Sequence, residues 1–172
     1  VAIDGNRLAV GADQGRGATD GGDHEFGEVF IFPINHYEVA DAVFATNPST
    51  DNTIWPSTIV GILSGGSNVT LQANNDITVS AAITAANGSG DGGDLTMQAG
   101  RSILINANIT TDNGDLALTA NDTGAVDAQR EDGAAVITMD SSGATINTGT
   151  GTFTATISTE STSGDISLHT VN

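Results

Sequence analysis

"GDLTMQAGRSILINANITTDNGDLALTAND", residues 93–122, writes one strand twice. Gly93-Asp94-Leu95-Thr96-Met97-Gln98-Ala99 returns as Gly114-Asp115-Leu116-Ala117-Leu118-Thr119-Ala120, 21 residues on. Within each copy, apolar and polar residues alternate at i and i+2, the pattern of a strand with one buried face. Thr at the outward positions adds β propensity. The same wording extends outward in both directions. Val69-Thr70-Leu71-Gln72-Ala73 lies 26 residues before Leu95. Ile137-Thr138-Met139 lies 21 residues beyond Leu116, and Ile166-Ser167-Leu168 follows 29 residues later. Each unit has further arms: Ile77-Thr78-Val79 and Ile103-Leu104-Ile105 come eight residues after Val69 and Leu95, with Ile83 and Ile109 six residues beyond those.

A trio of strands this short cannot bury its own apolar face. Coiling successive units about one axis solves the problem, because each strand then pairs in parallel with its equivalent one turn on, roughly 4.8 Å away. The sequence therefore predicts an all-β fold, a parallel β-helix over residues 67–172 with about four or five coils. Aligning the copies by their wording places Leu95, Leu116 and Ile137 in one interior file, each above the last. Asp94, Asp115 and Asp165 each follow a glycine. They read as turn residues that bond nearby backbone amides, with a calcium-collecting carboxylate column as the functional alternative. Asn74, Asn75, Asn106 and Asn108 fit corner hydrogen-bond ladders, or else contacts to carbohydrate.

Composition sets the outer bounds. Four basic residues face 21 acidic ones, a net charge of −17, which repels phosphate backbones and anionic headgroups. Nucleic acid and membrane insertion are set aside, and no stretch reaches the roughly 18 apolar residues of a spanning helix. With no cysteine there is no disulfide framework and no thiolate metal site. The chain starts at Val1 and reads as an excerpt of something longer. Leu, Ile, Val and Phe total only 39 of 172 residues, so it is their periodic order that argues for a fold rather than disorder.

The first third is written differently, since of the seven aromatic residues only Phe153 lies beyond residue 55. Residues 1–37 read as an antiparallel β segment: Asp4-Gly5-Asn6 is a hairpin signal between two short runs, and Glu28-Val29-Phe30-Ile31-Phe32 supplies a third. "IDGNRLAVGA", an acidic glycine-rich loop and "GEVFIF" resemble an FG-GAP repeat, the blade unit of integrin-type β-propellers. Asp13, Asp20 and Asp23 in that loop are calcium candidates beside Asp94 and Asp115, although their spacing departs from the family's calcium loop. Residues 38–66 read as a linker with a short helical cap. There Pro56 suits a first helical position, Ile59, Ile62 and Leu63 share a face, and Gly65-Gly66 ends the helix.

"WPSTIVGILSGGSNVTLQ", "GSNVTLQANNDITVSAAI" and the stretch quoted first resemble the repeats of filamentous-haemagglutinin-type exoproteins, closely from Trp55 to Asp122 and more loosely to Asn172. That resemblance implies a right-handed β-helix, export to the bacterial surface by two-partner secretion, and a role in adhesion, biofilm or surface structure. It implies no individual binding residue. Enzymatic β-helices need paired carboxylates, or a base with calcium and a cation, on one face. The repeats offer only Arg101 and Arg130 as cations, and His24, His36 and His169 lack ligand spacing. The expectation is a non-enzymatic surface rod, without cofactor unless calcium binds. Its partners are other copies of itself, adjoining repeats, or host-cell or matrix carbohydrate or protein. The alternatives are a self-assembling filament or surface-layer subunit, and a polysaccharide-active fragment.

Overall fold

The computed structural model describes residues 2–4, 7–10, 30–33, 39–44, 51–140, 143–160 and 162–172. The chain divides into two compact units, Val1–His36 and Tyr37–Asn172. In the first, β1 (Ala2–Asp4), β2 (Arg7–Val10) and β3 (Phe30–Pro33) form an antiparallel sheet in that order. Ile3 pairs with Leu8, and Leu8 with Phe32.

The second unit opens with a 3-10 turn, Val39–Asp41, and helix α1, Pro56–Ser64. Pro56 stands at the helix start, where a missing N–H costs nothing. Ile59 and Leu63 are buried, and Gly66 at φ 76° donates to Leu63 O (2.9 Å) to close the last turn. The first coil follows: β4 (Val69–Ala73), β5 (Ile77–Val79) and β6 (Ile83–Thr84). The second is β7 (Leu95–Ala99), β8 (Ile103–Ile105) and β9 (Ile109–Thr110). The third is β10 (Leu116–Ala120), β11 (Ala135–Met139) and β12 (Thr145–Asn147). The fourth is β13 (Phe153–Ile157), β14 (Ser163–Ser167) and β15 (Thr170–Val171).

Equivalent strands pair in parallel to give three four-stranded sheets, β13-β10-β7-β4, β14-β11-β8-β5 and β15-β12-β9-β6. The arrangement is compatible with a parallel β-helix or solenoid. Alternation is strict where the stack is deepest: Leu95, Met97 and Ala99 are fully buried, as are Ile103, Ile105 and Ile109. Each such Leu or Ile contributes about 1.5–3 kcal/mol by leaving water, so a narrow core of stacked aliphatics suffices without aromatics. Helix α1 lies against β6 and β4 and adds Ile59 and Leu63 to that core.

One expectation is overturned. Leu95 and Leu116 do stack, but Ile137 does not continue their file. It lies on β11 in the second sheet, paired with Ile103 on one side and Ile166 on the other. The true successor of Leu116 is Phe153. The cause is an excursion of residues 121–134, inserted between β10 and β11, whose length carries the second arm to the spacing that the first arm has between Leu95 and Leu116. Asp165 is displaced with it: it sits inside β14 rather than at the entry to a first-sheet strand.

Candidate functional site

The polar residues at the coil corners form ladders that run along the stack. At the entry to the first sheet, Asp94 N–H donates to Asn68 Oδ1 (2.9 Å), Asp115 N–H to Asp94 Oδ1 (2.9 Å) and Thr152 N–H to Asp115 Oδ1 (2.6 Å). Each side chain thus bonds the backbone of the next coil, satisfying an amide at the corner before the strand begins. Elsewhere the same device recurs: Thr145 N–H donates to Asn108 Oδ1 and Thr150 N–H to Asn113 Oδ1, both at 2.9 Å. Asp112 and Asn113, at φ 56° and 70°, supply a left-handed turn that, after glycine, Asn and Asp tolerate best.

Of the calcium candidates, Asp94 and Asp115 are therefore brought together, on consecutive steps of one ladder. Asp13, Asp20 and Asp23 lie outside the described residues. Among the described residues no group of three or more His, Asp or Glu side chains gathers as a metal site. Asp94→Asn keeps the acceptor oxygen and is expected to stay within about 0.5 kcal/mol of the parent, with or without millimolar calcium. Asp94→Ala is expected to cost about 1 kcal/mol. Urea unfolding of both variants checks this, and a calcium-dependent loss in Asp94→Asn would assign the column to the cation.

Of the other ladder candidates, Asn74 has different work. Asn74 is buried, donates to Phe44 O (3.0 Å) and Gln129 Oε1 (2.5 Å), and accepts from Val126 N–H (2.9 Å). It binds both the turn before α1 and the excursion to the first coil. Asn75 Oδ1 is buried with no hydrogen-bond partner among the described residues. The excursion carries a 3-10 turn, Asp127–Gln129, and is pinned by Arg130, whose side chain is only 7% exposed. Its guanidinium donates to Gly100 O, to Asn121 Oδ1 (3.0 Å) and to Asp122 O (3.0 Å).

A cleft of about 1000 Å³ lies at the end of the stack nearest α1. Its lining includes Trp55, 64% exposed, together with Leu71, Val79, Ile83 and Met97 from the stack interior. Asp51, Asp76, Glu131 and Arg101 supply its charges. Arg101 makes a two-pronged contact with Asp76, Nε to Oδ1 at 2.9 Å and Nη2 to Oδ2 at 2.6 Å, and reaches Glu131 Oε2 at 2.9 Å. Hydrogen bonding to Asp76 raises the Arg101 pKa above its ordinary value. Burial opposes the shift, and attraction to Asp76 and Glu131 adds to it. The cation is thereby neutralised in place.

Sequence reasoning missed this cleft, because its walls come from segments far apart in the chain. The one signal available was Trp55, a lone exposed-type aromatic beside the helix start. No helix among the described residues is long and apolar enough to cross a membrane. No protein-family model, curated protein or solved structure matches the chain.

Proposed function

We propose that this chain is a non-enzymatic, rod-forming segment of a bacterial cell-surface or secreted adhesin, its three sheets being the faces of a right-handed parallel β-helix. The carrying observation is the use made of the polar corners. Asn68, Asp94, Asp115 and Asn108 spend side-chain oxygens on the backbone of the next coil, as a load-carrying stack needs. Each further coil lengthens such a rod by about 4.8 Å without any new design. The acidic surface keeps the rod soluble and apart from anionic surfaces. The partners on this reading are adjoining repeats and host-cell or matrix carbohydrate or protein.

Deleting the segment for residues 67–172 in the producing bacterium is expected to lower attachment and biofilm mass. The purified chain is expected to release no new chain ends from polygalacturonate or alginate with calcium present. Unchanged attachment, or turnover of either polymer, would overturn the reading.

A further inference from the structure

The cleft adjoins the edge of β5 at the α1 end of the stack, to which no cap residue among the described ones is hydrogen-bonded. In a parallel ladder, consecutive residues turn their N–H and C=O groups to opposite neighbours. On β4, Gln72 turns outward and its N–H donates to Ala42 O at 2.7 Å. Just past β6, Ala86 N–H donates to Ser64 Oγ of α1 at 3.0 Å. On β5, Ile77 N–H donates to Ser102 O and Val79 O accepts from Asn106 N–H, both at 2.9 Å, so these two residues face β8. Thr78 between them faces away from the sheet, and its N–H and C=O meet no cap residue among the described ones. All three residues of β5 line the cleft.

We infer that the β5 edge takes an added strand: an extended peptide segment of a partner, apolar at alternate positions and basic at one end, bonds to the Thr78 backbone and lays its apolar residues over Leu71, Ile77 and Val79. This is β-augmentation, in which main-chain bonds give affinity and alternate side chains give selectivity. An extended peptide fits better than a sugar, because the open edge presents a donor and an acceptor at strand spacing above an apolar floor. The basic residue follows from charge: Asp51, Asp76 and Glu131 line the cleft, and Arg101 is already held by two of them. The inference rests on the sheet register and does not depend on the adhesin reading.

The probe is an end-blocked peptide with the sequence of residues 100–108, GRSILINAN, which contains the strand that already pairs with the other edge of β5 and carries one arginine. Trp55 is the only tryptophan in the chain, so its emission reports the cleft alone. Saturable binding with a blue shift is expected, together with slowed amide exchange at Thr78. Thr78→Pro removes an N–H that the internal ladder does not use, and is expected to weaken binding at least tenfold. Thr78→Ala is expected to bind as the parent does. Should Thr78→Pro fail to fold, the exchange rate at Thr78 in the parent decides. Unslowed exchange at Thr78 with peptide present, equal binding by a scrambled peptide, or displacement of the peptide by cellohexaose would each overturn the inference.

Discussion

Gly114→Ala is expected to cost about 3 kcal/mol or more, enough to abolish or nearly abolish cooperative folding of the strand stack. Gly93, Gly114 and Gly151 stand at the same corner of successive coils. A Cβ on Gly93 would collide with the Ser67 carbonyl oxygen, one on Gly114 with that of Gly93, and one on Gly151 with that of Gly114. The obstacle is backbone in every case, so no flexible side chain can swing aside. Relief requires separating two coils that β7 and β10 hold in register from Leu95↔Leu116 onward. Total stabilities of about 5–15 kcal/mol leave little to spare for such a strain. Urea unfolding followed by far-ultraviolet circular dichroism checks the outcome. Gly88→Ala is the control, since a Cβ there meets nothing within 4 Å, and its midpoint is expected to be unchanged. An unchanged midpoint in Gly114→Ala would mean that the coils do not approach as described.

Arg130→Ala is expected to cost about 2–4 kcal/mol, and most of the loss comes from what the arginine leaves behind. Gly100 O, Asn121 Oδ1 and Asp122 O all lose a charged donor at a site where the side chain is 7% exposed. The ion pair with Asp127 at 3.4 Å adds little, because that carboxylate is 85% exposed and screened by water. Arg130→Lys is expected to recover less than half of the loss, since a single ammonium cannot spread over three acceptors as the planar guanidinium does. Stability by urea and the rate of protease nicking within residues 121–134 measure the two effects together. The excursion also carries Val126 and Gln129, which hold Asn74, so its release is expected to loosen the turn at Ala42–Phe44 that covers the edge of β4.

These two residues mark what could and could not be read from the chain. Gly93 and Gly114 are visible in the repeated "GDL", and their spacing already implies a coil. Arg130 looks in sequence like one charge in a loop, "DAQREDG", and nothing local reveals that it is buried. The file through Leu95, Leu116 and Ile137 failed for the same reason. Wording at a fixed interval matches first arms to first arms only while every coil has the same length. The third coil carries the excursion, so identical spacing places Ile137 on the second sheet. Composition cannot expose that error, because Ile137-Thr138-Met139 suits either sheet equally.

The sequence alone determined the strand period, the inward set of Leu, Ile, Val and Met, the helix beginning at Pro56 and the acidic character of the surface. All of these are local or additive properties, written residue by residue. Only the tertiary structure decided the register after Ala120, the ladder partners of Asp94 and Asp115, the burial of Arg130 and the open edge beside Trp55. Each of those depends on which coil lies above which, and that rests on packing and hydrogen bonds between coils, such as those of Asp115 with Asp94 and of Arg130 with Gly100.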